Sequence, residues 1–181
     1  MKNINFLFSF LAFGVLLFTF AACGDDDSEE PSVDPVVGVY TLTSVTLNED
    51  VVYYDQELSM GDDITVIVQT ALYGASPCAQ GPNTVIDLRE NSEVYYACKN
   101  ENVDAERFGT WSIPADRSRL TMNLTIEGQP FPLILEQLSV TDNAVSGVVT
   151  NYPLVELYPG GDPAFVIKTV EVDLVFSRTT L

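Results

Sequence analysis

The feature of this sequence that most constrains its fold is an alternation of apolar and polar residues with a period of two. Residues 119–127 alternate at every position. Because successive side chains of a β-strand point to opposite faces, this pattern predicts a strand with one buried and one solvated face. Residues 170–176 repeat the pattern with one exception, Val175. No segment repeats convincingly with the helical period for more than two turns.

Further segments are short, rich in apolar residues and bounded by turn residues, which also predicts strands. Turn clusters separate them at a spacing of roughly ten residues. Residues 36–181 have the length of one domain of ordinary size. The predicted fold class is therefore all-β, either a sandwich or a barrel. The further segments are residues 37–47, 51–54, 64–72, 84–88, 94–98, 108–113, 131–138 and 144–150.

The composition excludes several functions. The chain has 26 Asp and Glu against 8 Lys and Arg, a net charge of −18, and no histidine. Phosphate backbones are bound through Lys and Arg, so no nucleic-acid partner is expected. Without histidine there is no Ser-His-Asp triad, no Cys-His dyad and no histidine-bound metal. Neither Asp62-Asp63 nor Asp25-Asp26-Asp27 has the spacing of a calcium loop, so we expect no metal and no cofactor.

The many carboxylates leave a glycosidase-type pair as an alternative, since that chemistry needs two of them about 5 to 9 Å apart. Most of them, however, alternate with apolar residues on predicted strands, as Asp87, Glu136, Glu171 and Asp173 do. Such side chains face water, so we interpret them as a solvated surface. We therefore predict no catalytic residue and no enzymatic activity.

Residues 1–22 resemble the signal peptide of a bacterial lipoprotein. Lys2 supplies a positive start, and residues 6–20 are almost wholly apolar. Phe20-Ala21-Ala22-Cys23 resembles the lipobox, although Phe20 replaces the usual leucine. An uncleaved membrane anchor would need about 20 apolar residues, more than this run provides. We expect cleavage before Cys23 and lipidation of that cysteine.

Residues 23–35 follow as an acidic tether without a packable apolar segment. Acyl chains such as palmitate on Cys23 would hold the mature protein on a membrane. The acidic stretch resembles the signal after the lipid cysteine in surface-exposed lipoproteins of some Gram-negative bacteria. This resemblance implies a lipid-anchored outer-membrane protein, on the cell surface rather than the periplasmic face.

Three stretches of the domain resemble lipocalin-like domains of Gram-negative lipoproteins. Residues 36–45, with Gly38 and Tyr40, resemble their opening strand, with Tyr40 in place of the usual tryptophan. Gly109-Thr110-Trp111 resembles their central Gly-Thr-Trp, and residues 174–178 resemble the last strand, which ends in an arginine. The resemblance implies an antiparallel up-and-down barrel of the lipocalin-like (calycin) type, with about eight to ten strands.

Closure of such a barrel pairs its first and last strands, so Tyr40 and Arg178 are expected to meet as a cation-π pair at one end. The alternative is a frayed, solvated Arg178. An up-and-down barrel needs an even number of strands, and residues 51–54 make ten. Successive connections of such a barrel lie alternately at its two ends. This places residues 55–61 at the Tyr40 end, together with three short turns. It collects most of the longer connections, residues 73–81, 100–106 and 151–163, at the other end, where an open mouth is expected.

Two cysteines remain after Cys23 is assigned to lipid. Cys78 and Cys98 form an even pair in an exported, oxidising context. The hairpin that turns at residues 90–92 brings Cys98 opposite Thr84, near the loop that carries Cys78. We predict a disulfide between them, with two free thiols as the alternative.

Lys168 is the first candidate for ligand binding, because it lies on the apolar face of the last strand together with Val170 and Val172. Its ammonium could meet the anionic head of an amphipathic molecule. The alternative is that the stem covers apolar wall and the charge reaches water at the rim.

Aromatic residues supply the other candidates, Tyr73, Tyr152, Tyr158 and Trp111. Residues 151–159 are unusually apolar for a connection. The connection is interpreted as a lid over the mouth, a contact for a protein or glycan, or a plug that fills the barrel.

Two hypotheses follow. In the first, an envelope lipoprotein, attached through Cys23, binds a small apolar or amphipathic molecule without catalysis. In the second, the barrel is filled and its loops dock onto an envelope complex or a host component.

Overall fold

A closed sheet of eight antiparallel strands dominates the structure, a computed structural model that describes residues 33–79, 81–158 and 165–181. The predicted all-β barrel is confirmed. The signal peptide, Cys23 and most of the tether lie outside the described residues. The barrel strands are β1 (Gly38–Leu47), β4 (Thr84–Leu88), β5 (Glu93–Cys98), β6 (Glu106–Ser112), β7 (Arg119–Ile126), β8 (Gln129–Val140), β9 (Ala144–Leu157) and β10 (Phe165–Arg178).

Each strand from β4 to β9 pairs with the next one along the chain. β1 closes the barrel by pairing with both β10 and β4. At closure Tyr40 lies opposite Arg178 on one side and Ile86 on the other. We call this end, with its short turns, the Tyr40 end. The opposite end, where Leu47 and Cys98 lie, carries the longer connections, as predicted.

Residues 64–72, predicted as a strand, are instead helical: helix α1 spans Thr65–Tyr73. The β-branched residues of this segment favour a strand locally. Its buried residues, Ile64, Val68 and Leu72, are nevertheless spaced four apart, which is the helical repeat. Tertiary packing of this face decides the conformation. The helix has nine residues, and in the described parts of the chain none is long and apolar enough to cross a bilayer.

Residues 51–54 were also predicted as a barrel strand, and this is wrong. They form β2 (Val51–Tyr53), which pairs only with β3 (Gln56–Leu58) in a separate two-stranded sheet. Two strands thus leave the predicted ten, and the barrel keeps the even number that closure requires. Residues 55–61 consequently stay near Leu47, not at the Tyr40 end: the Gly61 N–H donates to the Leu47 carbonyl over 2.8 Å.

The predicted connection over residues 151–159 is mostly strand, because β9 continues to Leu157 and pairs with β10. A bulge lies within this pairing, where Thr150 and Asn151 oppose the single residue Glu171. The extra residue shifts the alternation of β9 by one position. Beyond the bulge the buried side chains of β9 are therefore those of Tyr152, Leu154 and Glu156.

Helix α1 lies against an edge of β1 that no strand of the described residues covers. β4 pairs with β1 only over Gly38 to Tyr40. Further along, the Leu42 N–H donates to the Tyr73 hydroxyl over 3.0 Å, and the Gln69 amide donates to the Leu42 carbonyl over 2.8 Å. The Val45 N–H donates in turn to the Thr65 hydroxyl over 2.7 Å. Side chains of α1 thus replace a missing strand, and we call this end of the barrel the helix end.

The barrel interior is filled by side chains. Leu42, Leu120, Met122 and Leu135 are each at most 1 % exposed. The void described inside the barrel has a volume of about 10 Å³ and lies beside Tyr40 at the Tyr40 end. A space of that size holds no more than about one water molecule.

Cys78 and Cys98 form a disulfide, as predicted, with their Cα atoms 5.4 Å apart. The bond joins the segment after α1 to the end of β5. A short 3₁₀ helix, Gly81–Asn83, leads from there into β4. The disulfide therefore attaches the helical segment to the barrel on the side opposite its contacts with β1.

The hydrogen bond between Leu42 and Tyr73 yields a stability prediction. In Tyr73→Phe the Leu42 N–H stays buried without its acceptor, so the free energy of unfolding should fall by about 1 to 3 kcal/mol. Denaturant unfolding of the oxidised protein measures this. Tyr95→Phe is the matched control, because its hydroxyl donates to the Glu93 side chain over 3.1 Å and supports no backbone group among the described residues. Equal stability of the two variants would show that the edge of β1 does not depend on Tyr73.

Candidate functional site

An open groove of about 590 Å³ lies at the helix end, outside the filled barrel. Its volume falls within the range of about 300 to 1,000 Å³ that is typical of small-molecule sites. The walls come from α1, from the turn between β2 and β3, from the turn between β7 and β8, and from β9. We call it the helix-end groove; it is lined by, among others, Tyr54, Ile67, Ala71, Ile126, Tyr152 and Leu154.

The groove is mostly apolar. Apart from tyrosines, Glu127 is the one ionisable residue among the described residues that line it, and Glu127 itself is exposed on a turn. Ile67 and Ala71 of α1 form one wall, and Leu154 and Leu157 of β9 form part of the other. An apolar molecule would therefore bury its surface between the helix and the strand.

Tyr152, one of the residues that line the groove, carries a buried polar atom. The residue is 1 % exposed, and its hydroxyl oxygen has no hydrogen-bond partner among the described residues. The Phe131 ring packs against it edge-on, with the ring centroids 6.0 Å apart. Burial raises the pKa of the Tyr152 hydroxyl, so the group stays protonated and able to donate. The bulge in β9 explains its position, since it turns Tyr152 inward.

The turn between β2 and β3 is attached to the free edge of β9 through two tyrosines. The Tyr53 hydroxyl donates to the Val155 carbonyl over 3.3 Å, and the Tyr54 hydroxyl accepts from the Leu157 N–H over 2.5 Å. Backbone groups of β9 that none of the described strands pairs are satisfied in this way. Both rings thereby become part of the groove wall.

An ion pair with a buried carboxylate holds the same turn from the other side. The Lys168 ammonium lies 2.7 Å from a carboxylate oxygen of Glu156, which is 1 % exposed, and it also donates to the Val52 carbonyl. The same Glu156 oxygen accepts from the Tyr54 N–H over 2.9 Å, and the second oxygen accepts from the Tyr158 hydroxyl over 2.5 Å. The ion pair thus connects β9 and β10 to the turn.

This arrangement changes the pKa values of both acids in it. The hydrogen bond from Lys168, followed by that from Tyr158, lowers the pKa of Glu156 to about 2. The hydrogen bond to the Glu156 carboxylate raises the pKa of Tyr158 to about 12, with burial as a smaller cause. Glu156 is therefore ionised and Tyr158 neutral near pH 7.

The predicted ligand-binding residues are placed in different environments. Tyr152 lines the helix-end groove, whereas Lys168 and Tyr158 are engaged with Glu156 beside it. Tyr73, the last residue of α1, is buried, and desolvation raises its pKa to about 12. Trp111 lies toward the Tyr40 end, where its indole N–H donates to the Arg89 carbonyl over 2.9 Å. The groove thus brings together only part of the predicted set.

Glu156 was not singled out from the sequence, which placed it in a connection. The alternation of Tyr152, Leu154 and Glu156 is a signal that would have placed them on one face. The same residues also show that Lys168 is not a lone charge on an apolar surface.

Tyr40 and Arg178 meet at the other end of the barrel. The Arg178 guanidinium carbon lies 5.3 Å from the Tyr40 ring centroid, and the guanidinium donates to the Tyr40 hydroxyl over 2.9 Å. It also donates to the Pro35 carbonyl over 2.7 Å, while Asp34 pairs with Arg117 over 2.9 Å. Contacts with the barrel therefore begin before Val36.

Comparisons with known proteins identify no relative. No protein-family model matches the chain, and no curated protein matches it significantly. In the described parts of the chain, no group of three or more Cys, Asp or Glu side chains is placed to hold a metal ion.

The Tyr152 hydroxyl, which has no partner among the described residues, leads to a second prediction on the free energy of unfolding. Its sign is opposite to that of the Tyr73→Phe prediction. Tyr152→Phe removes a buried polar atom that gains nothing from its surroundings, so the free energy of unfolding should rise by about 1 kcal/mol. Denaturant unfolding without added ligand tests this against Tyr73→Phe. A loss of stability in Tyr152→Phe would mean that the hydroxyl has a partner.

The ion pair yields a prediction on pH. The pKa of Glu156 is about 2 in the folded protein, below its ordinary value of 4.5, so its stabilising contribution is present above pH 4.5 and is lost as the pH falls towards 2. Between these pH values the unfolding free energy of the natural protein should fall more steeply than that of Glu156→Gln/Lys168→Met. The control is Asp34→Asn/Arg117→Met, which removes the ion pair at the Tyr40 end. In this variant the part of the pH dependence that comes from Glu156 should remain. Parallel pH curves for the natural protein and the first double variant would contradict the assignment.

Proposed function

We propose that this protein is a non-catalytic binding module of the bacterial cell envelope that holds a small apolar or amphipathic molecule in the helix-end groove. The observation that carries the proposal is the groove itself, about 590 Å³ of mostly apolar space beside a buried hydroxyl without a partner among the described residues. Sites for small molecules combine these features: apolar walls for affinity and a few placed polar groups for orientation.

The ligand is proposed to lie on the barrel, not in it. The void described in the interior, about 10 Å³, is far too small for an organic molecule. Helix α1 covers the helix end and buries Val68 and Leu72 in the core. A ligand between α1 and β9 needs no rearrangement of that core, which favours the groove over the barrel interior.

The envelope location rests on the resemblance of residues 1–23 to a lipoprotein signal. The described chain enters the barrel at the Tyr40 end, where Asp34 pairs with Arg117. The residues that would link a lipid on Cys23 to the domain therefore join it next to Asp34, at the end opposite the groove.

Catalysis is not part of the proposal. Glu156 is a buried carboxylate beside the groove, the environment in which a general acid is usually sought. A general acid needs a raised pKa, whereas hydrogen bonds from Lys168 and Tyr158 lower the pKa of Glu156 to about 2. The carboxylate is therefore ionised, and its oxygens already accept hydrogen bonds from these two side chains. We interpret this carboxylate as a structural group.

A second candidate function is docking onto an envelope complex, a host protein or a glycan. It is favoured by the outer face of the β9–β10 ribbon, where Val155 opposes Ile167 and Leu157 opposes Phe165. All four side chains are exposed. Contiguous exposed apolar surface of this kind commonly marks an interaction site.

Blocking the groove tests the first candidate. Nile red, an uncharged fluorescent dye, should bind the purified domain, and Ala71→Trp should weaken that binding at least tenfold because the indole fills the space beside α1. Fluorescence titration measures both affinities. Ala115→Trp is the matched control, since Ala115 is exposed on a turn at the Tyr40 end.

Two results would overturn this proposal. Absence of dye binding to the natural domain would favour docking through the ribbon. Equal affinities of the two tryptophan variants would mean that the dye binds outside the groove.

A further inference from the structure

We infer that the molecule bound in the helix-end groove is a cationic amphiphile, with a quaternary ammonium head beside the rings of Tyr53 and Tyr54 and an apolar tail along the wall of α1. The inference rests on the proposed function and specifies the chemical class of the ligand. It is supported by the charge at the rim of the groove, by the placement of the two rings, and by the bonds that their hydroxyls already make.

The rim of the groove is negatively charged. Glu127 lines the groove on the turn between β7 and β8, and Asp55 follows the groove-lining Tyr54 on the turn between β2 and β3. Both residues are exposed, and neither has an ion-pair partner among the described residues. The described residues of the lining include no lysine or arginine. A cation is therefore attracted to this rim, whereas an anion is repelled.

Cations of the domain that could neutralise the rim are already paired or lie elsewhere. Lys168, beside the groove, pairs with Glu156 over 2.7 Å. Arg117 and Arg178 lie at the Tyr40 end. The two rim carboxylates are thus left for a cation that the ligand brings.

Two aromatic rings are placed at the same rim. Tyr53 and Tyr54 both line the groove, and Tyr54 is 40 % exposed. Their ring centroids lie 4.8 Å apart and their planes meet at 80°, like adjacent walls of a box. Tyr158 extends the cluster, with its ring centroid 5.6 Å from that of Tyr54. Because the faces of aromatic rings attract ammonium groups, clusters of this kind are suited to quaternary ammonium ions.

The hydrogen bonds of these tyrosines favour a quaternary ammonium over a primary one. A primary ammonium carries three N–H donors, each of which needs an acceptor when the group leaves water. The Tyr53 hydroxyl is engaged with the Val155 carbonyl, and the Tyr54 hydroxyl with the Leu157 N–H. A quaternary ammonium has no N–H donor, so it leaves none unsatisfied and still gains contact with the rings.

The other walls of the groove suit an apolar tail. Ile67 and Ala71 of α1 line one side, and Leu154 and Leu157 of β9 line part of the other. Burial of the tail between them supplies affinity for any charge on the head. The exposed carboxylates of the rim add less, because water and salt screen them. The charge of the head should therefore change the affinity by a moderate, salt-dependent factor.

The experiment compares three fluorescent probes that share one apolar body. Diphenylhexatriene is uncharged, its trimethylammonium derivative is a cation, and its propionic acid derivative is an anion at neutral pH. At low ionic strength the purified natural domain should bind the cation about tenfold more tightly than the anion. Added salt should reduce this ratio by screening the exposed carboxylates. Fluorescence titration measures the three affinities.

Variants of the two carboxylates test the charge of the rim. Asp55→Asn/Glu127→Gln should weaken binding of the cationic probe about three- to tenfold and leave the uncharged probe within about twofold. The matched control is Glu90→Gln/Asp142→Asn, which removes two exposed carboxylates on turns at the Tyr40 end. In this control both affinities should stay within about twofold of those of the natural domain.

Variants of Tyr54 test the contribution of its ring. Tyr54→Leu removes the ring and should weaken binding of the cationic probe about fivefold, whereas Tyr54→Phe keeps a ring and should retain most of the affinity. Because the Tyr54 hydroxyl also contacts β9, binding of the uncharged probe reports for each variant whether the groove persists.

Different outcomes overturn the inference and the proposed function. Equal affinities for the three probes, or no effect of the rim variants, would overturn the cationic head and leave the proposed function standing. Binding of none of the probes would overturn both. Choline has the same head without the tail and should compete poorly; displacement of the cationic probe at equal concentration would overturn the amphipathic assignment. Circular dichroism and unfolding of each variant establish that the affinities refer to folded protein.

Discussion

The structure depends on how the barrel satisfies the backbone of β1 beyond Tyr40, where none of the described strands covers it. β4 reaches only as far as Tyr40, so the groups of Leu42, Val45 and Leu47 need other partners. Helix α1 and the residues before it provide these partners. The Leu47 N–H donates to the Asp62 carbonyl over 3.0 Å, and the Leu42 N–H donates to the Tyr73 hydroxyl. Because unpaired buried backbone groups are costly, this edge determines where the helix lies. The helix in turn covers one end of the barrel and forms one wall of the groove.

The filled interior and the open groove are two consequences of the same packing. Side chains occupy the barrel, and the helix-end groove lies outside it, where α1, β9 and the turn between β2 and β3 meet. The ion pair of Glu156 and Lys168, with the hydroxyls of Tyr53 and Tyr54, keeps that turn on β9. Lys168, a ligand-binding candidate from the sequence, is thus used to hold one wall of the groove in place.

Much of the barrel could be predicted from local pattern, because strands with one buried face alternate strictly. The helix was missed because β-branched residues such as Val66 and Ile67 favour strands, while contact with β1 selects the helix. The candidate site was predicted less completely. Tyr152 was named, but its environment depends on a bulge that shifts the strand by one residue, and Glu156 was hidden in a segment interpreted as a connection.

The pattern of the sequence by itself determined that the domain is all-β, that Cys78 and Cys98 are able to pair, and that common histidine chemistry is absent. These properties depend on composition and short-range periodicity, which are present in any stretch of the chain. Only the tertiary structure decided that the interior is filled, that Lys168 is neutralised and that Tyr152 is left without a partner among the described residues. Those properties arise from side chains distant in sequence, brought together when β1 is closed by α1 and β9 is shifted by its bulge.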